Sequence, residues 1–187
     1  MRKPLVGTKI CDVASSNKSD FIVMGTQGEN SALDKYLGSI TSSLLKKTPC
    51  SVIVIPEFAK FKEEMVLGYA TDLQDVAPFE IWKSGKLLKP FQPEIKCVHF
   101  NEKQIVDISE MEELVAYFTE VVPDLNITFY NIPVKDKVKD INDFIENQSI
   151  NMLAMYKPQR NFFAALFHRS FTEKMALHTN VPLLVLK

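Results

Sequence analysis

Apolar positions along this chain come as short runs separated by helical or polar stretches. Residues 21–24, Phe-Ile-Val-Met, are apolar throughout, with no alternation of apolar and polar positions. Such a run predicts a strand buried on both faces, as inside a parallel sheet covered by helices. Residues 51–55, Ser-Val-Ile-Val-Ile, predict a second strand, closed by Pro56. Between them, residues 40–47 read as a helix that Thr48 and Pro49 end. Strand, helix and strand at this spacing predict a right-handed βαβ unit. Upstream, residues 8–18 read as a helix with Ile10, Val13 and Ala14 on one face.

Residues 57–64 are charged and read as a linker, after which a second series begins. Strands are predicted over 65–70, 95–100, 126–130, 150–155 and 181–186. Helices are predicted over 78–89, broken by Pro90 and Pro93, over 108–121 and over 138–146. Met111, Leu114, Phe118 and Val121 recur at helical spacing and read as core. Strands alternating with helices indicate an α/β fold around an open parallel sheet.

The two series repeat. Residues 24–56 fall on 155–187 without a gap, an offset of 155 − 24 = 131. Met24, Asn30, Ser39, Thr41, Thr48 and Val54 then meet Met155, Asn161, Ser170, Thr172, Thr179 and Val185. The same offset puts the counterpart of Val66 at 66 − 131 = −65, so the opening strands of the first unit would lie upstream of Met1.

Composition narrows the function classes. A net charge of −1 over 187 residues gives no basic excess for nucleic acid. No apolar run reaches the ~20 residues of a membrane span, and the start has no apolar signal segment, so a cytoplasmic address is expected. Cys11, Cys50 and Cys97 form no CxxC pair and read as buried, reduced thiols. His99 and His178 read as buried or rim histidines. With no activated nucleophile, metal-ligand spacing or acid–base pair, no enzyme is expected.

The chemistry-bearing stretch lies between the first strand and its helix. Three of the six glycines, Gly25, Gly28 and Gly38, fall here, in the pattern Gly, two residues, Gly, nine residues, Gly-Ser. Gly25 and Gly28 let the backbone turn and approach a ligand. Gly38 and Ser39 stand at a helix N-terminus, where unpaired N–H groups and the dipole favour a phosphate. Ser39 adds a hydroxyl and Ile40 a backbone N–H. The same residues also fit a glycine turn with a serine helix cap. The spacing is neither the Rossmann fingerprint nor a Walker loop.

This spacing closely resembles the phosphate loop of the universal stress protein family, and nearly the whole chain is similar to a tandem member whose first module is cut short. The resemblance implies a Rossmann-like fold with strands ordered 3-2-1-4-5 in each module. Residues 1–60 would be the end of a first module and residues 61–187 a complete but degenerate second one. The modules would pair through their last strands, residues 52–55 antiparallel to 183–186. The implied ligand is an adenine nucleotide, ATP with Mg as companion, held by Gly25, Gly28, Gly38, Ser39 and Ile40. The family's acidic residue at the end of its first strand is lacking in the first module; in the second, Thr71-Asp72 stands there. The second loop has Tyr156, Gln159 and Arg169 for the glycines and keeps only Ser170. Phe162, Phe163 and Phe167 add bulk, and the loop reads as a collapsed site, or as a site for another anion at Lys157, Arg160, His168 and Arg169. The implied function is a non-catalytic stress-response protein; an interaction scaffold and a weak ATP hydrolase are the alternatives. Partners would be the nucleotide and a homo-oligomer or an intramolecular module pair, with neither nucleic acid nor membrane. With no first strand beside it, the strand over 21–24 would be an apolar edge. Self-association, or cover by the N-terminal residues, is expected there.

Overall fold

The computed structural model of the chain describes residues 6–25, 39–71, 77–101, 109–133, 135–156, 175 and 179–187. In chain order the elements are α1 (Val6–Ser16), β1 (Phe21–Gly25), α2 (Ser39–Lys47), β2 (Ser51–Ile55), β3 (Val66–Thr71), α3 (Ala77–Leu87), β4 (Glu94–Asn101), α4 (Ser109–Val121), β5 (Ile127–Pro133), α5 (Lys137–Asn147), β6 (Met152–Tyr156) and β7 (Leu183–Leu186). A 3-10 turn, Lys89–Phe91, follows α3, where Pro90 ends the helical pattern. The fold is α/β with mostly parallel strands. Two compact units are present: Met1–Lys60 with Lys157–Lys187, and Phe61–Tyr156. Among the described residues, no helix is long and apolar enough to cross a membrane.

In the first unit the strand order is β1-β2-β7. β1 runs parallel to β2, Phe21 opposite Ser51 and Gly25 opposite Ile55. β2 runs antiparallel to β7, with Val52, Ile53 and Val54 opposite Val185, Leu184 and Leu183. That is the strand pairing expected for residues 52–55 and 183–186. β2 and β7 are buried, Val52 and Leu184 at 0% exposure. The reading of β1 as covered on both faces is corrected: Phe21 is 41% and Val23 56% exposed. β1 is an edge strand, and one of its faces has no cover among the described residues. α1 buries Gly7 and Ala14, but Val13, expected on its packed face, is exposed. Cys11 and Cys50 are only half-buried, unlike the expected core thiols; all three cysteines are free.

In the second unit the order is β6-β3-β4-β5, all parallel. Numbered within the module this is 4-1-2-3, the expected order as far as it falls in this unit. α4 places Met111, Leu114 and Phe118 in the core, with the Phe118 ring 6.0 Å from Phe129. Val121, expected with them, is exposed at the last residue of the helix. α5 starts at a reciprocal cap. Asp136 Oδ1 accepts from the N–H groups of Val138 and Lys139, while Asp140 Oδ2 accepts from those of Lys135 and Asp136.

The repeat extends to single hydrogen bonds. At the offset that relates the two series, α1 falls on α5 and β1 on β6, end for end, Val6 on Lys137 and Gly25 on Tyr156. Both helices end alike. Ser19 N–H donates to Ala14 C=O as Ile150 N–H does to Ile145 C=O, each at 2.9 Å. Lys18 and Ser149 take the left-handed conformation, with φ of 51° and 54°. Further on, Thr48 N–H donates to Leu44 C=O and Thr179 N–H to Met175 C=O, again 2.9 Å each. The Thr48 hydroxyl donates to Cys50 C=O at 2.7 Å and accepts its N–H. Thr179 does the same to Val181.

Candidate functional site

In a parallel sheet, ligands collect beyond the carboxyl ends of strands, where helix N-termini converge. In the first unit that place is the end of β1 and the start of α2. Gly25 is the last residue of β1, and Ser39 and Ile40 open α2. Thr41 lies one residue further along the helix and is 3% exposed; its hydroxyl donates to Gly25 C=O at 3.1 Å. This bond fastens the first turn of α2 to the end of β1. It brings the unpaired N–H groups of the helix start beside the strand's carboxyl end. α1 supports the helix from outside: a Cβ on Gly7 would come within 3.2 Å of Ser43 Oγ, so α1 and α2 pack closely at that glycine. Gly28 and Gly38 lie outside the described residues. The structure thus brings together Gly25, Ser39 and Ile40 and adds Thr41, whose role no spacing in the sequence signals.

In the second unit, Thr71 ends β3 in a buried position, and Asp72 lies outside the described residues. Tyr156 ends β6; Lys157, Gln159, Arg160, Phe162, Phe163, Phe167, His168, Arg169, Ser170 and His178 lie outside the described residues. His99 is half-buried, with Nδ1 3.2 Å from Thr71 C=O. A carbonyl only accepts, so Nδ1 carries the proton of this bond. Thr71, His99 and Asn131 are in register across β3, β4 and β5. Among the described residues Asn131 Nδ2 is buried without a partner.

Glu80, in the first turn of α3, is not distinguished by any pattern in the sequence. It is 4% exposed, and burial pushes its carboxyl up, with Lys83 offsetting part of the shift. Lys83 Nζ stands 3.8 Å from Oε2 in an ion pair one turn along the helix. Burial raises the fully buried Cys97 thiol well above its ordinary value, which leaves it unreactive. Among the described residues no group of three or more His, Cys, Asp or Glu side chains could hold a metal ion.

The sequence profile of the universal stress protein family matches residues 5–56, the stretch from α1 to β2. Over these residues the chain is similar to that family. A universal stress protein of Synechocystis sp. is 34% identical over 55 residues, which are 29% of this chain and 35% of that protein. The matched stretch therefore spans about a third of that relative. A universal stress protein structure from Archaeoglobus fulgidus DSM 4304 covers 100% of this chain at TM-score 0.73 and 17% identity, and this chain covers 70% of it. A second structure, of the universal stress protein from Archaeoglobus fulgidus in complex with dAMP, has TM-score 0.50 and 16% identity; it covers 67% of this chain, and all of it is covered in turn. At these identities the likeness to the two structures is one of fold.

Proposed function

We propose that this chain is a stress-response protein of universal stress type that binds an adenine nucleotide, ATP, through the loop from Gly25 to Ser39, without catalysing a reaction on it. The observation that carries the reading is the Thr41–Gly25 bond. It sets a helix N-terminus beside the strand end that the glycine spacing leads into, the arrangement in which backbone N–H groups hold a phosphate. Gly25, Gly28, Gly38, Ser39 and Ile40 would line the phosphate side, and the dAMP held by the Archaeoglobus fulgidus fold neighbour supports an adenine nucleotide as the ligand class. The phosphate charge would set the Mg requirement. Residues 1–60 and 61–187 act in this reading as two modules of tandem type, the first carrying the loop and the second a degenerate site. A cytoplasmic address goes with it.

A second reading, a scaffold that binds no nucleotide, draws on β1, an edge strand without a second neighbour among the described residues and a surface suited to strand addition. Two measurements separate them. Nucleotide extracted from the purified protein and identified by mass should be adenine-based. Gly38→Val should abolish ATP binding by calorimetry, since a branched side chain at the helix start blocks the backbone approach. Ser39→Ala should weaken binding only by about 1–2 kcal/mol, one hydrogen bond to a charged group. Unchanged affinity in Gly38→Val would overturn the assignment of the site to this loop, and a protein that binds no nucleotide leaves the scaffold reading.

A further inference from the structure

The outer surface of the second unit carries a strip of exposed rings and charges. α3 and α4 lie side by side on one face of its sheet. Gly85 of α3 packs on Ile95, and Phe118 of α4 meets Phe129. Those two strand residues share a face, because Phe129 pairs with Cys97, two residues along β4 from Ile95. α3 turns Ile81, Ser84 and Leu88 inward. Its opposite side presents Phe79, Trp82, Lys83 and Lys86, spaced i, i+3, i+4 and i+7. Lys89, exposed in the turn after α3, continues the row. Phe79 is exposed, with its ring 5.9 Å from that of Trp82. Lys83 Nζ lies 6.0 Å from the Phe79 ring and Lys86 Nζ 5.0 Å from the Trp82 ring. Rings and cations thus form one strip.

α4 carries the opposite charge. Its thirteen residues include no Lys or Arg. Glu113, Ala116, Tyr117 and Glu120 take the same i, i+3, i+4, i+7 spacing on its exposed side. α3 has one acid, Glu80, and it is turned inward, so the outer side of α3 is basic and aromatic while that of α4 is acidic and aromatic. Two such strips side by side make a surface complementary to itself. A twofold axis running along the helices, between them, sets α3 of one copy over α4 of the other, and the same contact occurs twice. Lysines then face glutamates at both places, with Phe79, Trp82 and Tyr117 as the large rings that such a contact would bury.

We propose that the outer face of α3 and α4 docks a second copy of this chain, α3 of each copy lying on α4 of the other. Charge complementarity selects this occupant. An anionic lipid surface would suit the lysines of α3, but Glu112, Glu113 and Glu120 beside them would repel it. An acidic helix of another protein would match α3 and leave the acids of α4 unanswered; a second copy answers both. Helices of 11 and 13 residues are ~16 and ~20 Å long. Their shared face is at the small end of specific interfaces, about 1,000 Å² in total, so the dimer forms and dissociates with concentration. The surface uses no residue of the Gly25–Ser39 loop and stands whether or not that loop binds a nucleotide.

Trp82 is the one tryptophan of the chain, so its fluorescence reads this strip and not an association elsewhere. Sedimentation and Trp82 emission are followed together on the 187-residue chain from micromolar to millimolar concentration. A monomer–dimer equilibrium is expected, with emission moving to shorter wavelength as the indole leaves water and with weaker association at high salt. Lys86→Glu with Lys89→Glu, and separately Glu113→Lys with Glu120→Lys, should each raise the dissociation constant about 10-fold or more. All four side chains are exposed. Mixing the two variants should restore a one-to-one dimer, because α3 of each then faces α4 of the other with opposite charge. The proposal is overturned by a chain that stays monomeric at millimolar concentration, or by a dimer that leaves Trp82 emission unchanged. Variants that associate as the parent does, or a mixture that stays dissociated, overturn it too. So does a Trp82 shift on vesicles of anionic phospholipid in a chain that remains monomeric, which would put lipid on the strip.

Discussion

Glu80 shows how a single residue sets a pH dependence. Its carboxylate loses hydration in the first turn of α3 and regains part of that loss from Lys83, whose side chain is 29% exposed and so partly screened. The larger cause, burial, raises the folded-state value above that of the unfolded chain. Between the two values the folded state keeps a proton that the unfolded state has released, so stability falls as pH rises through that window. Glu80→Gln removes the charge and keeps the shape. Its melting temperature should approach that of the parent below pH ~3, where a carboxyl is protonated in either state. It should exceed the parent's at neutral pH. A variant less stable at neutral pH than the parent would show that the Lys83 attraction outweighs desolvation.

At the scale of elements, the same Thr turn is used twice. Thr48 and Thr179 are buried, and each hydroxyl bridges the N–H and C=O of the residue two positions on, at the entry to β2 and to β7. A buried hydroxyl bonded to two backbone groups contributes about 1 kcal/mol, and where its loss leaves them unpaired the cost is about 1–3 kcal/mol. Thr48→Val and Thr179→Val should each lower stability by roughly 1–3 kcal/mol in urea denaturation. The serine variants, which keep the oxygen, should lose less. The two positions should respond alike because the turns are alike. Much of this was readable in advance: the two threonines align when the chain is laid on itself, and a Thr before a proline or near one marks a turn. That Thr41 turns back onto Gly25 was not readable, because the bond joins residues sixteen apart through a loop.

For the molecule as a whole, the pairing of β2 with β7 carries an internal twofold. Ile53 faces Leu184, and these two are counterparts in the repeat (53 + 131 = 184). Val52 faces Val185 and Val54 faces Leu183, so each strand meets the other as the other meets it, the self-complementary geometry of a symmetric dimer interface. Ile53 is 8% and Leu184 0% exposed. Ile53→Asp and Leu184→Asp each bury an unpaired charge at the centre of this pairing and should each cost about 3 kcal/mol or more. Chemical denaturation of both variants checks this; a loss at one position only would mean that the two strands are not equivalent.

What the sequence by itself determined is what depends on near neighbours along the chain. The apolar runs, the prolines that end them and the glycine spacing before Ser39 are local, and a repeat needs only comparison of the chain with itself; from these followed the α/β class, the order of elements and the Gly25-to-Ser39 motif. The β2–β7 pairing was legible through family resemblance, not from pattern alone. Tertiary structure alone decided which apolar residues are covered. Val23 has the composition of a buried strand and Val13 and Val121 lie in helical apolar patterns, yet all three are exposed, because burial depends on what packs from elsewhere in the chain. Glu80 is the converse, a charged helix residue made a buried carboxyl by packing around it. Periodicity reports which side of an element is apolar; whether another element reaches that side is a non-local fact, and only the folded chain contains it.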